Sequence, residues 1–273
     1  MKDGEGSGFI NNYMKIALVQ AEIFWEDNDK NLDHFSSILE KVKDVEIFVL
    51  PEMFNSGFTT NSDSVGQTME GKAVCWLQKM ATKKDAVFVA SLIILENTKR
   101  YNRLVWATPN GDAKTYDKKH LFRMADEHNY FTPGKERVII EHKGVRFSPQ
   151  ICYDLRFPIW SRNSGGQSKL PVYDCLIYVA NWPKVRSDAW TSLLKARSIE
   201  NQAFVVGVNR VGLDGNGIEY SGDSRFFSPK GDRLDQVISG KEMISIVAID
   251  LKILNDFREN FPVFDDGDLF KLL

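Results

Sequence analysis

Three side chains with complementary chemistry lie where apolar, strand-like stretches of this sequence end. Glu52 closes the run VEIFVLPE, Lys118 follows AKTYD, and Cys152 closes VRFSPQIC. A cysteine thiol is a strong nucleophile, a carboxylate can take and return its proton, and an ammonium group can stabilise an oxyanion. Together, the three groups could hydrolyse a carboxamide through a thioester.

Each of these residues has a simpler explanation when it is taken alone. Unpaired cysteines are among the most buried residue types and commonly behave as small apolar side chains. A glutamate at a strand end is often a solvated edge residue, and lysines are mostly exposed. A catalytic interpretation therefore depends on the sequence that surrounds them.

The chain alternates strand-like and helix-like stretches, which indicates an α/β fold. The strand candidates are short, rich in Val, Ile and Phe, and bounded by turn residues, as expected for a sheet covered on both faces. They are residues 15–20, 45–52, 86–94, 103–109, 145–152, 173–182 and 203–212. Apolar residues recur at helical spacing in three further stretches. These stretches run from Leu32 to Val42, from Val74 to Met80 and from Trp190 to Ile199.

Turn residues and one proline refine this pattern. Asn110-Gly111 predicts a hairpin between RLVWATP and AKTYDKKH, and Gly231 marks a second one, so the sheets are at least partly antiparallel. Pro149 cannot donate to a strand ladder, which predicts an edge, a bulge or an interruption before Cys152. No linker, repeat or low-complexity segment divides the chain. We expect one domain over residues 14–273, preceded by a polar extension or expression remnant at residues 1–13.

The composition allows an enzyme without demanding one. The 273 residues are 43% hydrophobic and 26% charged, with 35 basic and 37 acidic side chains spread along the chain. There is no basic stripe for nucleic acid and no polybasic patch for a membrane surface. The longest apolar runs are far shorter than the roughly 20 residues that a membrane helix needs. We therefore expect a small-molecule substrate or a second copy of the chain as partner, and neither nucleic acid nor membrane.

The cysteine and histidine residues indicate neither disulfides nor a metal site. The three cysteines are far apart and contain no CxxC spacing, which fits a reducing cytoplasm. The four histidines lack the spacing of zinc motifs. The chemistry outlined above needs no cofactor, so we predict no metal and no cofactor.

The sequence around the three residues resembles the nitrilase superfamily of carbon-nitrogen hydrolases. That family carries a Glu-Lys-Cys triad in motifs of the form LPEM, YxKxHLF and CYDxRFP. Here the motifs read LPEM (50–53), YDKKHLF (116–122) and CYDLRFP (152–158). The register of HLF favours Lys118 over Lys119 as the triad lysine. The resemblance continues through ANWP (180–183), residues 195–212 and residues 220–232.

The resemblance implies a fold, an assembly and an activity. The family folds as a four-layer α-β-β-α sandwich with mixed sheets and is usually a dimer. Within it, PEMFNSGF and CYDLRFPIWSRN look most like omega-amidases, which release ammonia from the terminal amide of 2-oxoglutaramate or 2-oxosuccinamate. Glu127 resembles a second glutamate that the family places near the substrate.

The proposed chemistry suggests further site residues. The backbone amide of Tyr153 would help Lys118 to stabilise the oxyanion. An oxo-acid substrate carries a carboxylate, for which arginine is the best partner, and Arg156 is the nearest one in sequence. Phe24, Phe58 and Trp182 lie near predicted strand ends and are candidates for the pocket wall.

Several alternatives remain open at this point. The same triad could cleave an N-carbamoyl amine or a nitrile. The cysteine could instead transfer its acyl group to an amine or lipid, although a lipid-modifying acyltransferase would need membrane spans. An assembly module that had kept the fold without activity is the alternative outside enzymes, and the intact triad argues against it.

Overall fold

The computed structural model describes residues 13–164 and 170–270. Strand β1 begins at Tyr13, so residues 1–12 of the predicted extension lie outside the described part. Two main sheets face each other, and a two-stranded ribbon lies beside them.

The first sheet is mixed and has six strands in the order β13-β1-β2-β3-β4-β5. β1 pairs in parallel with β2 and antiparallel with β13, and β2 pairs in parallel with β3. β3, β4 and β5 form an antiparallel meander. The strands are β1 (Tyr13–Gln20), β2 (Ile47–Val49), β3 (Val87–Glu96), β4 (Lys99–Ala107), β5 (Ala113–Asp117) and β13 (Met243–Asp250).

The second sheet has five strands in the order β12-β9-β8-β7-β6. Its centre is parallel, because β8 pairs in parallel with both β7 and β9. The strands are β6 (Ile140–His142), β7 (Val145–Ile151), β8 (Cys175–Ala180), β9 (Phe204–Asn209) and β12 (Arg225–Phe227). The ribbon consists of β10 (Val211–Leu213) and β11 (Glu219–Ser221).

Helices cover the outer faces of both sheets. Among the described residues, the long helices are α1 (Asn28–Leu39), α3 (Lys72–Lys84), α6 (Ser187–Glu200) and α7 (Leu251–Asn260). Single-turn helices are α2 (Ser62–Val65), α4 (Glu127–Tyr130) and α5 (Pro158–Ser161). Three 3-10 helices span Arg123–Ala125, Cys152–Arg156 and Lys184–Arg186.

The alternating direction of the side chains along β1 explains how the layers are packed. Ile16 and Leu18 belong to the core between the two sheets, whereas Ala17 and Val19 belong to the core under α1 and α3. Successive side chains of a strand point to opposite faces, so a strand covered on both sides is apolar throughout. Burial of this kind contributes roughly 25 cal/mol per Å² of apolar surface. The predicted four-layer α-β-β-α sandwich with mixed sheets is confirmed.

Local turn signals predicted the strand connections correctly. β4 and β5 form an antiparallel hairpin around Gly111, whose φ of 92° suits glycine. A tight turn at Ser228 to Asp232 places Gly231 at φ 87°. β6 pairs with β7 only as far as Phe147, so at Pro149 the strand has a partner on the β8 side alone. Pro149 therefore lies on a local edge, as its missing N–H requires.

Candidate active site

Strand ends from both sheets deliver the three sequence-predicted residues to one place. Glu52 follows β2 and Lys118 follows β5 in the first sheet, while Cys152 follows β7 in the second. Their side chains are buried, with Glu52 0%, Lys118 1% and Cys152 9% exposed. Burial of the charged Glu52 and Lys118 side chains costs free energy unless the two charges are paired.

The ammonium group of Lys118 lies between two buried carboxylates. Its Nζ is 2.8 Å from Glu52 Oε1, and 3.1 Å and 2.9 Å from the two oxygens of Glu127. Asn102, on β4, donates through Nδ2 to Glu52 Oε1 at 2.8 Å and to Glu127 Oε1 at 3.2 Å. The backbone N–H of Phe122 also donates to Glu127, at 2.6 Å. All three ionisable groups are therefore held by hydrogen bonds as well as by charge.

Asn181, directly after β8, connects the carboxylate to the cysteine. Its backbone N–H donates to Glu52 Oε2 at 2.8 Å, and its Nδ2 donates to the Glu52 carbonyl at 2.5 Å. Its own carbonyl accepts from Cys152 Sγ at 3.8 Å. Asn181 thus positions the carboxylate of the opposite sheet and contacts the thiol at the end of the neighbouring strand β7.

Cys152 adopts an unusual backbone conformation. Its φ is 43°, in the left-handed region, at the point where β7 turns into the 3-10 helix Cys152–Arg156. A residue with a Cβ pays a steric cost there, and such strain concentrates at functional sites. The strand ends at this turn, and the thiol therefore lies at the edge of the sheet and not within it.

Burial and charge shift the ionisation of the three groups in different directions. Burial alone would lower the pKa of Lys118, but the carboxylates of Glu127 and Glu52 outweigh it, and the pKa lies above its ordinary value. Burial raises the pKa of the Cys152 thiol well above its usual value; the Glu52 carboxylate adds to the rise and Lys118 opposes it. Burial also raises the pKa of Glu127, which Lys118 only partly offsets. The resting site therefore holds a protonated thiol beside a charged lysine.

A cavity of about 330 Å³ opens above the thiol. Six of the predicted site residues line it, namely Phe58, Lys118, Cys152, Tyr153, Arg156 and Trp182. Phe24 is not among its described lining residues. The Phe24 ring instead packs edge-on against His34, with Lys30 Nζ 3.8 Å from its centre. The prediction that Phe24 belongs to the pocket wall is therefore wrong.

The carbon-nitrogen hydrolase family model matches residues 15–259. This chain belongs to the carbon-nitrogen hydrolase family. The hydrolase is 42% identical over 259 residues to omega-amidase YafV of Escherichia coli strain K12, covering 95% of this chain and 98% of that protein. It is 36% identical over 256 residues to the 2-oxoglutaramate amidase of Bacillus subtilis strain 168, covering 92% and 96% of the two chains.

A solved structure is also similar to the hydrolase over nearly its whole length. XC1258 from Xanthomonas campestris, a CN-hydrolase superfamily protein with an arsenic adduct in its active site, superposes with a TM-score of 0.91. The two chains are 39% identical, and the match covers 96% of this chain and 99% of XC1258.

The described residues contain neither a candidate metal site nor a helix suited to crossing a membrane. Over residues 13–164 and 170–270, no group of His, Cys, Asp and Glu side chains is arranged to hold a metal ion. In the same part of the hydrolase, no helix is both long and apolar enough to cross a membrane.

Asp154 is a site residue that the sequence analysis missed. It is fully buried, two residues after Cys152, and its carboxylate accepts four hydrogen bonds. The donors are the backbone N–H groups of Ile151 and His120, the His120 ring Nδ1 and the Tyr116 hydroxyl. Asp154 therefore ties the cysteine turn to the loop that carries Lys118, which only the folded chain reveals.

We expect Asp154→Asn to lower both turnover and stability of the hydrolase. An amide has one acceptor oxygen, so two donors lose their partner, at a cost of about 2–4 kcal/mol in the free energy of unfolding. A shift of the thiol relative to Lys118 by about 1 Å lowers kcat on the order of 100-fold. Denaturant unfolding and steady-state kinetics measure the two effects.

Asp174→Asn is the matched control for Asp154→Asn. Asp174 is also buried, but it pairs with Arg146 and Arg258 and does not line the cavity. This variant should lose stability while the folded fraction keeps its kcat. Wild-type kcat in Asp154→Asn would contradict a positioning role.

Proposed function

We propose that this hydrolase is an omega-amidase, which converts 2-oxoglutaramate or 2-oxosuccinamate and water into ammonia and the 2-oxo dicarboxylic acid. The observation that carries the proposal is the buried Glu52–Lys118–Glu127 network beside Cys152, at the base of a cavity that also contains Arg156. The similarity to omega-amidase YafV and to a 2-oxoglutaramate amidase supports the choice of substrate class.

In the first half-reaction, Cys152 attacks the amide carbon while Glu52 takes the thiol proton. Burial raises the pKa of Cys152, so the resting nucleophile is a thiol, and a base must act during the attack. The tetrahedral oxyanion forms beside Lys118 and the backbone N–H of Tyr153. Glu52 then gives the proton to the nitrogen, the carbon-nitrogen bond breaks, and ammonia leaves a thioester on Cys152.

In the second half-reaction, a water molecule hydrolyses the thioester, and Glu52 again acts as the base. Glu52 accepts a proton from water as its oxygen attacks the thioester carbon, and the carbon-sulfur bond breaks. The proton returns to the thiolate, which restores the thiol and releases the acid. General acid-base assistance of this kind is worth about 100-fold to 10,000-fold in rate.

We assign to Glu127 the role of holding Lys118 for the oxyanion. Both of its oxygens lie within 3.1 Å of Lys118 Nζ, and it also accepts from the Phe122 N–H. Without it, the flexible lysine side chain would have only Glu52 as an ionic partner, and Glu52 must change protonation during the reaction. The Glu127 carboxylate keeps the ammonium group in place while Glu52 gains and loses its proton.

Ammonia release from a panel of substrates tests the proposed function. The panel contains 2-oxoglutaramate, 2-oxosuccinamate, glutamine, an N-carbamoyl amine and a simple nitrile. We expect fast turnover of the two oxo-amides only. Faster turnover of the carbamoyl compound or the nitrile would refute the substrate class, and no turnover of any compound would favour an assembly module.

We also propose that the enzyme is a single-domain homodimer that acts in the cytoplasm. Its cysteines support a reducing compartment, since Cys75, Cys152 and Cys175 are all free thiols. The family resemblance supports the dimer. Sedimentation equilibrium measures the dimer directly, and a monomer at micromolar concentration would refute it.

A further inference from the structure

The cavity above Cys152 contains two arginines whose guanidinium groups have no acidic partner. Arg156 and Arg186 both line it. Within residues 13–164 and 170–270, neither guanidinium forms an ion pair or a side-chain hydrogen bond. Arg156 is exposed and Arg186 is half-buried, whereas the buried Arg197 pairs with Glu200.

Each guanidinium group lies over an aromatic ring instead. The Arg156 guanidinium carbon is 5.0 Å from the centre of the Trp182 ring, and that of Arg186 is 5.6 Å from the centre of Phe122. Stacking on an aromatic ring uses the flat face of a guanidinium. The N–H groups project in its plane, so they stay available for a planar anion.

Trp182 links the two arginines. Its ring lies under Arg156, and its indole N–H donates to the Arg186 backbone carbonyl at 2.8 Å. Trp182 is only 4% exposed, and its backbone N–H is fixed by Asn209 at 2.8 Å. The loop after β8 therefore sets the positions of Arg156 and Arg186 together.

The charge balance of the cavity indicates what the arginines bind. Its only other cation among the described lining residues is Lys118, which is neutralised by Glu52 and Glu127 behind it. No aspartate or glutamate of the described chain lines the cavity. Two unpaired positive charges in a partly enclosed space favour a ligand with a carboxylate.

We propose that Arg186 acts together with Arg156 as a receptor for the carboxylate at the far end of the substrate. This inference rests on the proposed function, which requires such a carboxylate, and it adds a specificity-determining residue that lies 34 positions beyond Cys152 in the sequence. The receptor holds the carboxylate at the mouth while the amide carbon lies at the thiol. Neutral amides of the same length lack this interaction.

Binding of glutarate to the Cys152→Ala protein tests the receptor without turnover. Loss of a charge-assisted hydrogen-bonding partner corresponds to about a tenfold to hundredfold change in Kd. We expect that increase in the glutarate Kd when Arg186→Met is added, and a smaller one with Arg186→Lys, measured by calorimetry. Lys184→Met is the matched control, because it removes a positive charge two residues away that pairs with Glu219 and does not line the cavity.

Kinetics on the otherwise unaltered enzyme provide the second measurement. Arg186→Met should lower the ratio of kcat/KM for 2-oxoglutaramate to kcat/KM for pentanamide by at least about tenfold. Lys184→Met should leave this ratio at its wild-type value.

Failure of the receptor and failure of the proposed function give different results. A glutarate Kd within twofold of the Cys152→Ala value in the Arg186→Met background would overturn the receptor, as would absence of glutarate binding to Cys152→Ala itself. If the wild-type enzyme did not hydrolyse 2-oxoglutaramate but glutarate binding still depended on Arg186, the substrate proposal would fall and the receptor would stand.

Discussion

The Cys152→Ala protein is expected to fold normally and to lose ammonia release by about 10,000-fold or more, as loss of a catalytic nucleophile does in other hydrolases. Alanine keeps the Cβ and removes only the sulfur, whose contact to the Asn181 carbonyl is long, at 3.8 Å. The backbone at φ 43° stays equally strained with either residue. Kinetics with 2-oxoglutaramate and thermal unfolding measure the two outcomes.

Cys175→Ala is the matched control for this variant. Cys175 is also a buried free thiol at a strand of the second sheet, but it lies at the start of β8 and contacts neither Glu52 nor Lys118. Its replacement should leave turnover in place and cost about 1 kcal/mol through the small cavity that it leaves. Product formation by Cys152→Ala at a rate near that of Cys175→Ala would eliminate Cys152 as the nucleophile.

The Lys118→Met protein is expected to lose both rate and stability. Removal of one oxyanion donor lowers kcat about 100-fold to 1,000-fold. The same change leaves Glu52 and Glu127 buried without their cation, which destabilises a protein by about 3–5 kcal/mol when one partner of a buried ion pair is removed. Methionine fills most of the lysine volume, so the losses of rate and stability come from the missing charge more than from altered packing.

The stability loss of Lys118→Met should depend on pH in a defined direction. Without the lysine, burial and the neighbouring carboxylate raise the pKa of one glutamate in the folded state above its unfolded value of about 4.3. Between those two pKa values the folded state binds more protons than the unfolded state, so the free energy of unfolding decreases as the pH rises. The deficit relative to the wild type is therefore smallest near pH 4 to 5 and largest at neutral pH. Urea unfolding of both proteins across this range measures it, and a deficit independent of pH would contradict the ionic role of Lys118.

The residues predicted from sequence are those whose signal is local. The motifs around Glu52, Lys118 and Cys152 combine a strand-like run with its terminal residue, and these strand ends do meet at one cavity. Pro149 and Gly111 each impose a backbone requirement that holds in any fold. These signals do not depend on which strands become neighbours.

The features that were missed depend on contacts between distant parts of the chain. β13 was not predicted, although it completes the first sheet by pairing with β1 across more than 200 residues. Asn102 lies outside every motif, and although Asp154 and Asn181 lie within CYDLRFP and ANWP, the roles of all three come from partners on other parts of the chain. Phe24 follows a strand-like run in the same way as Glu52 does, but its ring points to α1 instead of the cavity.

The division of the site between two sheets has a consequence for the life of the newly made chain. The nucleophile follows a strand of one sheet, while its base and its cation follow strands of the other, and that other sheet also contains β13, the last described strand in chain order. Because the thiol and its base follow strands of different sheets, we expect Cys152 to have no base beside it until the two sheets have docked. We therefore expect partly folded chains to be unable to form the thioester, so that the onset of activity during refolding would mark the docking of the two sheets.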